Sequence, residues 1–161
     1  MRVLPLSLTA ALALGAVSLL PLASRPAYAA LGDTVASVEA DRASMKGQLR
    51  ARSEPGYSVQ EITTASGTLV REFVSPAGVV FAVSWSGPAM PNLQQTLGTY
   101  FAQLQSAVQT QRAQHARSGH NHLDVREPNL ILHATGHMRQ YFGMAYVPSL
   151  MPQNLSVSDL H

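Results

Sequence analysis

Residues 57–85 read YSVQEITTASGTLVREFVSPAGVVFAVSW, and the way this stretch is divided decides the fold. Three β-type runs follow one another, Tyr57–Thr64, Thr68–Ser75 and Gly78–Trp85. Two short breaks separate them, Ala65-Ser66-Gly67 and Ser75-Pro76-Ala77-Gly78. Pro76 presets φ for a turn and Gly78 can take a positive φ. Connections this short join only antiparallel neighbours, so the spacing predicts a meander. Strict alternation in the third run puts Val79, Phe81, Val83 and Trp85 on one face and Val80, Ala82 and Ser84 on the other. A strand that is apolar on one side and small on the other suits a central position under a helix.

Helical spacing flanks the meander on both sides. Ala30 to Arg52 carries Val35, Val38, Met45 and Leu49 near one helical face, with Asp33 as a cap and Glu39, Asp41, Arg42 and Lys46 between them. After Trp85-Ser86-Gly87-Pro88, Asn92 and Gln95 fit a helix start. Leu93, Leu97, Tyr100, Phe101, Leu104 and Val108 then recur at the spacing of a single helical stripe. Residues 109–128 form a polar loop with His115, His120 and His122, in which Leu123 and Val125 could make a brief strand. Asn129 to Val147 turns apolar again and reads as two strands or one hairpin bent at Gly136. Pro148 and Pro152 introduce a tail expected to be loose. The reading is one α+β domain: an antiparallel sheet of about five strands with two packed helices, in the order α-β-β-β-α-β-β.

The first 29 residues read as a signal peptide outside that domain. Arg2 precedes an apolar run from Val3 to Leu22, and Ala27-Tyr28-Ala29 supplies an A-x-A site, with cleavage expected before Ala30. An uncleaved anchor is the alternative, since the run approaches spanning length, but Pro5, Pro21 and the small-residue ending favour cleavage. The chain is therefore expected in the periplasm or outside the cell, without a stable membrane anchor. Taking 29 from 161 residues leaves 132, enough for one domain with its own core.

Export also changes the charge balance. The leader holds Arg2 and Arg25 and no acid, so Lys+Arg falls from 11 to 9 against 9 Asp+Glu. No basic footprint remains, and nucleic acid is set aside as a partner. The chain has no cysteine, so disulfides, thiol catalysis and thiolate metal sites are all excluded.

Chemistry is sparse in what is left. His133 and His137 lie four apart. On a helix such a pair can share a metal, but on a strand four steps span roughly 13 Å, too far for bonds of about 2 Å to one ion. The β-type neighbours Leu130, Ile131, Leu132, Tyr141 and Phe142 vote for a strand. His120 and His122 alternate in the polar loop and, with His133, are weak metal candidates. No H-E-x-x-H and no G-x-S-x-G is present. Glu61 and Glu72 could form a carboxylate pair, although Arg71 offers a cross-strand ion pair instead. A polar seam of His137, Arg139 and Tyr141 near the sheet end, with Trp85, is the best place for a ligand. No cofactor is expected.

The segments SVEADRASM (37–45), VREFVSPAGVVFAVSWSGPAMPNL (70–93), LGTYF (97–101) and GHMRQYFGMAYVP (136–148) resemble those of an exported proteobacterial family, domain of unknown function 2844. The resemblance covers nearly the whole chain after the leader and is weakest over residues 109–128. It implies no activity, cofactor or site residue. The function expected from these readings is a non-enzymatic binding or accessory module of the cell envelope, with an envelope protein as partner. The alternatives are a metal- or small-ligand-dependent enzyme using His133, His137 and Arg139, and a structural surface protein.

Overall fold

A computed structural model describes residues 31–113 and 122–160. Among them, seven strands form one antiparallel sheet: β1 (Gln48–Glu54), β2 (Tyr57–Thr63), β3 (Leu69–Val74), β4 (Val80–Gly87), β5 (His122–Glu127), β6 (Leu130–His137) and β7 (Gln140–Tyr146). Their order across the sheet is β1-β2-β3-β4-β7-β6-β5. Two meanders, β1 to β4 and β5 to β7, thus meet where β7 pairs with β4. The connection between them carries the helices α2 (Leu93–Leu97) and α3 (Phe101–Ala113), and α1 (Val38–Ser44) precedes β1. The α+β class and the antiparallel sheet hold, but with seven strands rather than about five.

The two additional strands lie at the edges of the sheet. Residues 48–52 were expected to continue the first helix, yet Gln48–Glu54 is an edge strand exposed along most of its length. Only Leu49 of this strand packs into the core, so there was no apolar rhythm to read. Its turn was visible: Pro55 presets φ and Gly56 sits at φ 86°, which closes a hairpin pairing Glu54 with Tyr57. The helix consequently stops at Ser44, and Asp33 does not cap it. At the far edge, the brief strand expected at Leu123 and Val125 runs six residues, with Val125 fully buried.

The second helix starts where expected, with Asn92 Oδ1 accepting from the Gln94 and Gln95 N–H groups at 3.1 and 3.3 Å. It then breaks at Gly98, whose φ of 52° is outside the helical range, and resumes as α3. The apolar stripe survives the break. Leu97 and Leu104 are buried, and Leu93, Tyr100, Phe101 and Val108 pack beside them against one face of the sheet, over Ile62, Val70, Val83, Trp85, Leu132 and Ala145.

Strict alternation fails in β4. Phe73 faces Ala82 and Val74 faces Val80, which leaves Phe81 as the extra residue of a β-bulge. Phe81 therefore joins Ala82 on the side away from the helices, while Val80, Val83 and Trp85 stay beneath them. On that second side Phe81 packs with Val59, Phe73 and the C-terminal residues Leu150, Met151, Leu155 and Leu160. The tail expected to be loose is a packed cover. Two 3-10 turns shape it, the second fastened by a Ser156/Asp159 capping box, and the Tyr57 hydroxyl donates to the Asp159 carbonyl at 2.9 Å.

Candidate functional site

The tail covers only part of the second face, and the accessible features lie at the end of the sheet where β6 turns into β7. That turn is not at Gly136. Gly136 pairs with Tyr141 inside the ladder, and the chain reverses through the two residues Met138 and Arg139, between paired His137 and Gln140. Both turn residues have positive φ, 46° and 65°. A two-residue turn of this kind matches the right-handed twist of the strands and ordinarily uses Asn-Gly. Here it holds a methionine and an arginine, each in a backbone region that costs an L-residue roughly 1–2 kcal/mol. Met138 projects from the turn 83% exposed.

A cleft of about 340 Å³ opens beside this tip, lined by Met90, His122, Thr135, His137, Met138 and Tyr141 among others. Tyr141 lies across Gly136, where a Cβ would come within 2.6 Å of the ring, so glycine is what lets the phenol sit flat on the sheet. The opposite wall is the segment that carries Met90. It is pinned by Thr68, whose Oγ1 donates to the Ala89 carbonyl at 2.8 Å and accepts from the Ala89 N–H at 3.2 Å. Phe142, 46% exposed, stands on the neighbouring strand position. The lining is mixed: two thioethers, a phenol, a hydroxyl and two imidazoles.

The structure gathers some of the expected residues and disperses others. His137 and Tyr141 line the cleft, and His122 joins them from β5. Arg139 is in the turn and exposed, outside the lining. Trp85 does not line the cleft. It is 2% exposed, its indole lies over Gly143, and a Cβ on that glycine would be 2.2 Å from the ring. His133 faces Asp124 across β5 and β6, Nδ1 to Oδ1 at 3.2 Å, and does not line the cleft. His120 lies outside the described residues. Among the described residues no group of three His, Asp or Glu is placed to hold a metal, and no helix is long and apolar enough to cross a membrane.

The strongest electrostatic feature is in the core, and the sequence reading missed it. Glu61 pairs with Arg71 at 2.9 Å on one face, as the cross-strand alternative foresaw, so Glu72 points to the other face. There Glu72 and Asp41 of α1 are both fully buried and meet each other. Gln95 Nε2 donates to Asp41 Oδ1 at 2.8 Å, and Ser44 Oγ donates to Gln95 Oε1 at 3.2 Å. Burial, and after it the Asp41 carboxylate, pushes the Glu72 carboxyl up to about 9. A signal existed. Glu72 sits between Val70 and Val74 in the alternation, at an inward position, and Asp41 is three residues from the buried Val38.

Fold and site together describe an α+β protein with a cleft at one hairpin tip and two carboxyls, Asp41 and Glu72, sealed inside. The chain belongs to the family Protein of unknown function (DUF2844), whose family model matches residues 27–160. No curated protein and no solved structure matches it.

Proposed function

We propose that this protein is an exported binding or accessory module of the cell envelope, which engages a protein partner through the β6–β7 hairpin tip and the cleft beside it. The observation that carries this reading is the turn itself. Two residues that are poor at positive φ occupy it, and one of them, Met138, is presented to solvent at the lip of a 340 Å³ cleft. Backbone strain persists where something other than stability holds the residue in place, and an exposed flexible thioether is a good adaptable contact. Met90, 41% exposed, extends the apolar character of the same region.

Export rests on the leader: an apolar run, an A-x-A ending and no cysteine after it. Leu31, the second residue past the expected cleavage point, is buried, and its N–H donates to the Thr96 carbonyl at 3.1 Å. A chain beginning at Ala30 therefore keeps the packed fold.

The test compares the natural chain with a Met138→Asn/Arg139→Gly variant, whose turn is relaxed and whose tip is bare. Both are used as bait against envelope extracts. A partner retained by the natural chain and lost by a variant at least as stable supports the reading. Equal retention by both, or turnover of a substrate with no partner, overturns it.

A further inference from the structure

Among the described residues Asp41 and Glu72 are the buried carboxyls of the core, and their surroundings define what they can do. Glu72 is on β3, and its cross-strand neighbours are Gln60 on β2 and Val83 on β4, neither of them titratable. From α2 comes Gln95, a neutral amide. From α1 comes Asp41 itself, while the charged neighbours Glu39 and Arg42 are paired with each other at the exposed surface. Lys46, just past the helix, is exposed. The charged group acting on Glu72 among the described residues is thus Asp41, of the same sign. Two carboxylates in an apolar layer repel each other and are each poorly solvated, so contact between them requires a proton held in common.

The pair also occupies a mechanical position. α1 is seven residues long, and its buried face consists of Val38 and Asp41. A surface hollow of about 410 Å³ lies between the end of α1 and the start of α2, lined by Ser44, Asn92, Gln94, Gln95 and Gly98. Gln95 forms the boundary between this hollow and the acid pair. Water entering there would reach the carboxyls first.

We infer that the Asp41–Glu72 contact is a proton-operated latch: while the two carboxyls share a proton, α1 is fastened to the sheet, and when the proton is lost α1 withdraws and bares Val38, Ile62 and the floor of the hollow beside Gln95. The raised Glu72 carboxyl fixes the direction. A group with a folded-state pKa raised above its unfolded value contributes stability that is complete below the unfolded pKa, 4.5, and is lost as pH rises through about 9. Alkaline conditions open the latch and acid closes it. The inference is independent of the hairpin-tip reading, because α1 and the tip share no residue.

Amide hydrogen exchange on the full chain tests it, corrected for the intrinsic effect of pH on exchange. Protection of the 38–44 amides should fall by about tenfold or more between about pH 6 and about pH 10, while the β6 and β7 amides hold theirs. Glu72→Gln, or Asp41→Asn if that variant fails to fold, supplies a fixed donor in place of the shared proton and should flatten the profile. Uniform protection of α1 across the range in the natural chain overturns the latch, as does an unchanged fall in a folded variant. Should neither variant fold, the natural chain decides alone: loss confined to α1 and its sheet contacts supports the latch, and loss spread evenly over all strands overturns it.

Discussion

Single residues set the limits of this structure where two groups compete for one space. Gly143 is opposite Trp85, and an added methyl would sit 2.2 Å from the indole and 3.0 Å from the His133 carbonyl. Neither neighbour is a flexible side-chain end, so relief requires movement of the sheet. Gly143→Ala is expected to cost about 1–3 kcal/mol, read as a lower urea midpoint with unchanged slope. Glu72 makes a different residue-scale prediction. Because its raised carboxyl withdraws stability as pH rises from 4.5 through about 9, Glu72→Gln should gain melting temperature relative to the natural chain over that interval. A difference in melting temperature that is constant with pH would assign the raised carboxyl no share in stability. Both positions were readable only in part. The inward place of Glu72 follows from Val70 and Val74, whereas its partner Asp41 is 31 positions away and no local pattern names it.

At the scale of elements, turns and edges carry the information. The β6–β7 turn is strained by Met138 and Arg139, so Met138→Asn/Arg139→Gly should raise unfolding stability by about 1–2 kcal/mol, measured by denaturant titration. A neutral result would mean that the strands absorb the strain. The C-terminal segment gives the opposite sign. Leu160 is 7% exposed against Val59, Phe73 and Phe81. Leu160→Ala should destabilise by about 2 kcal/mol, measured the same way, where a loose tail would show no change. The meander and the stripe on α2 and α3 were legible because their apolar residues keep one period. β1 was not, since an edge strand with one packed side chain has no period to keep. Residues 148–160 were not either, because their packing answers to Phe81, and Phe81 is on that side only through the bulge in β4.

For the whole molecule, the arrangement separates what is reactive from what is reachable. Asp41 and Glu72 are enclosed between α1, α2 and β3, and the cleft at the hairpin tip is lined by thioethers, a phenol and imidazoles. In the proposed reading the protein recognises its partner through the tip and is fastened at α1. Its partner capture should respond to Met138 and its α1 exchange to pH, each without the other. By itself the sequence determined the α+β class, the antiparallel meander, the stripe of the second helix, the family and the lack of any thiol chemistry, because each of these is written in residues close together along the chain. Tertiary structure alone decided that the described residues form a seven-stranded sheet, that the tail covers part of its second face, that Trp85 belongs to the core, and that Asp41 meets Glu72. Those outcomes depend on contacts between distant segments, and burial, which assigns such contacts their energy, is a property of the packed molecule and not of any stretch within it.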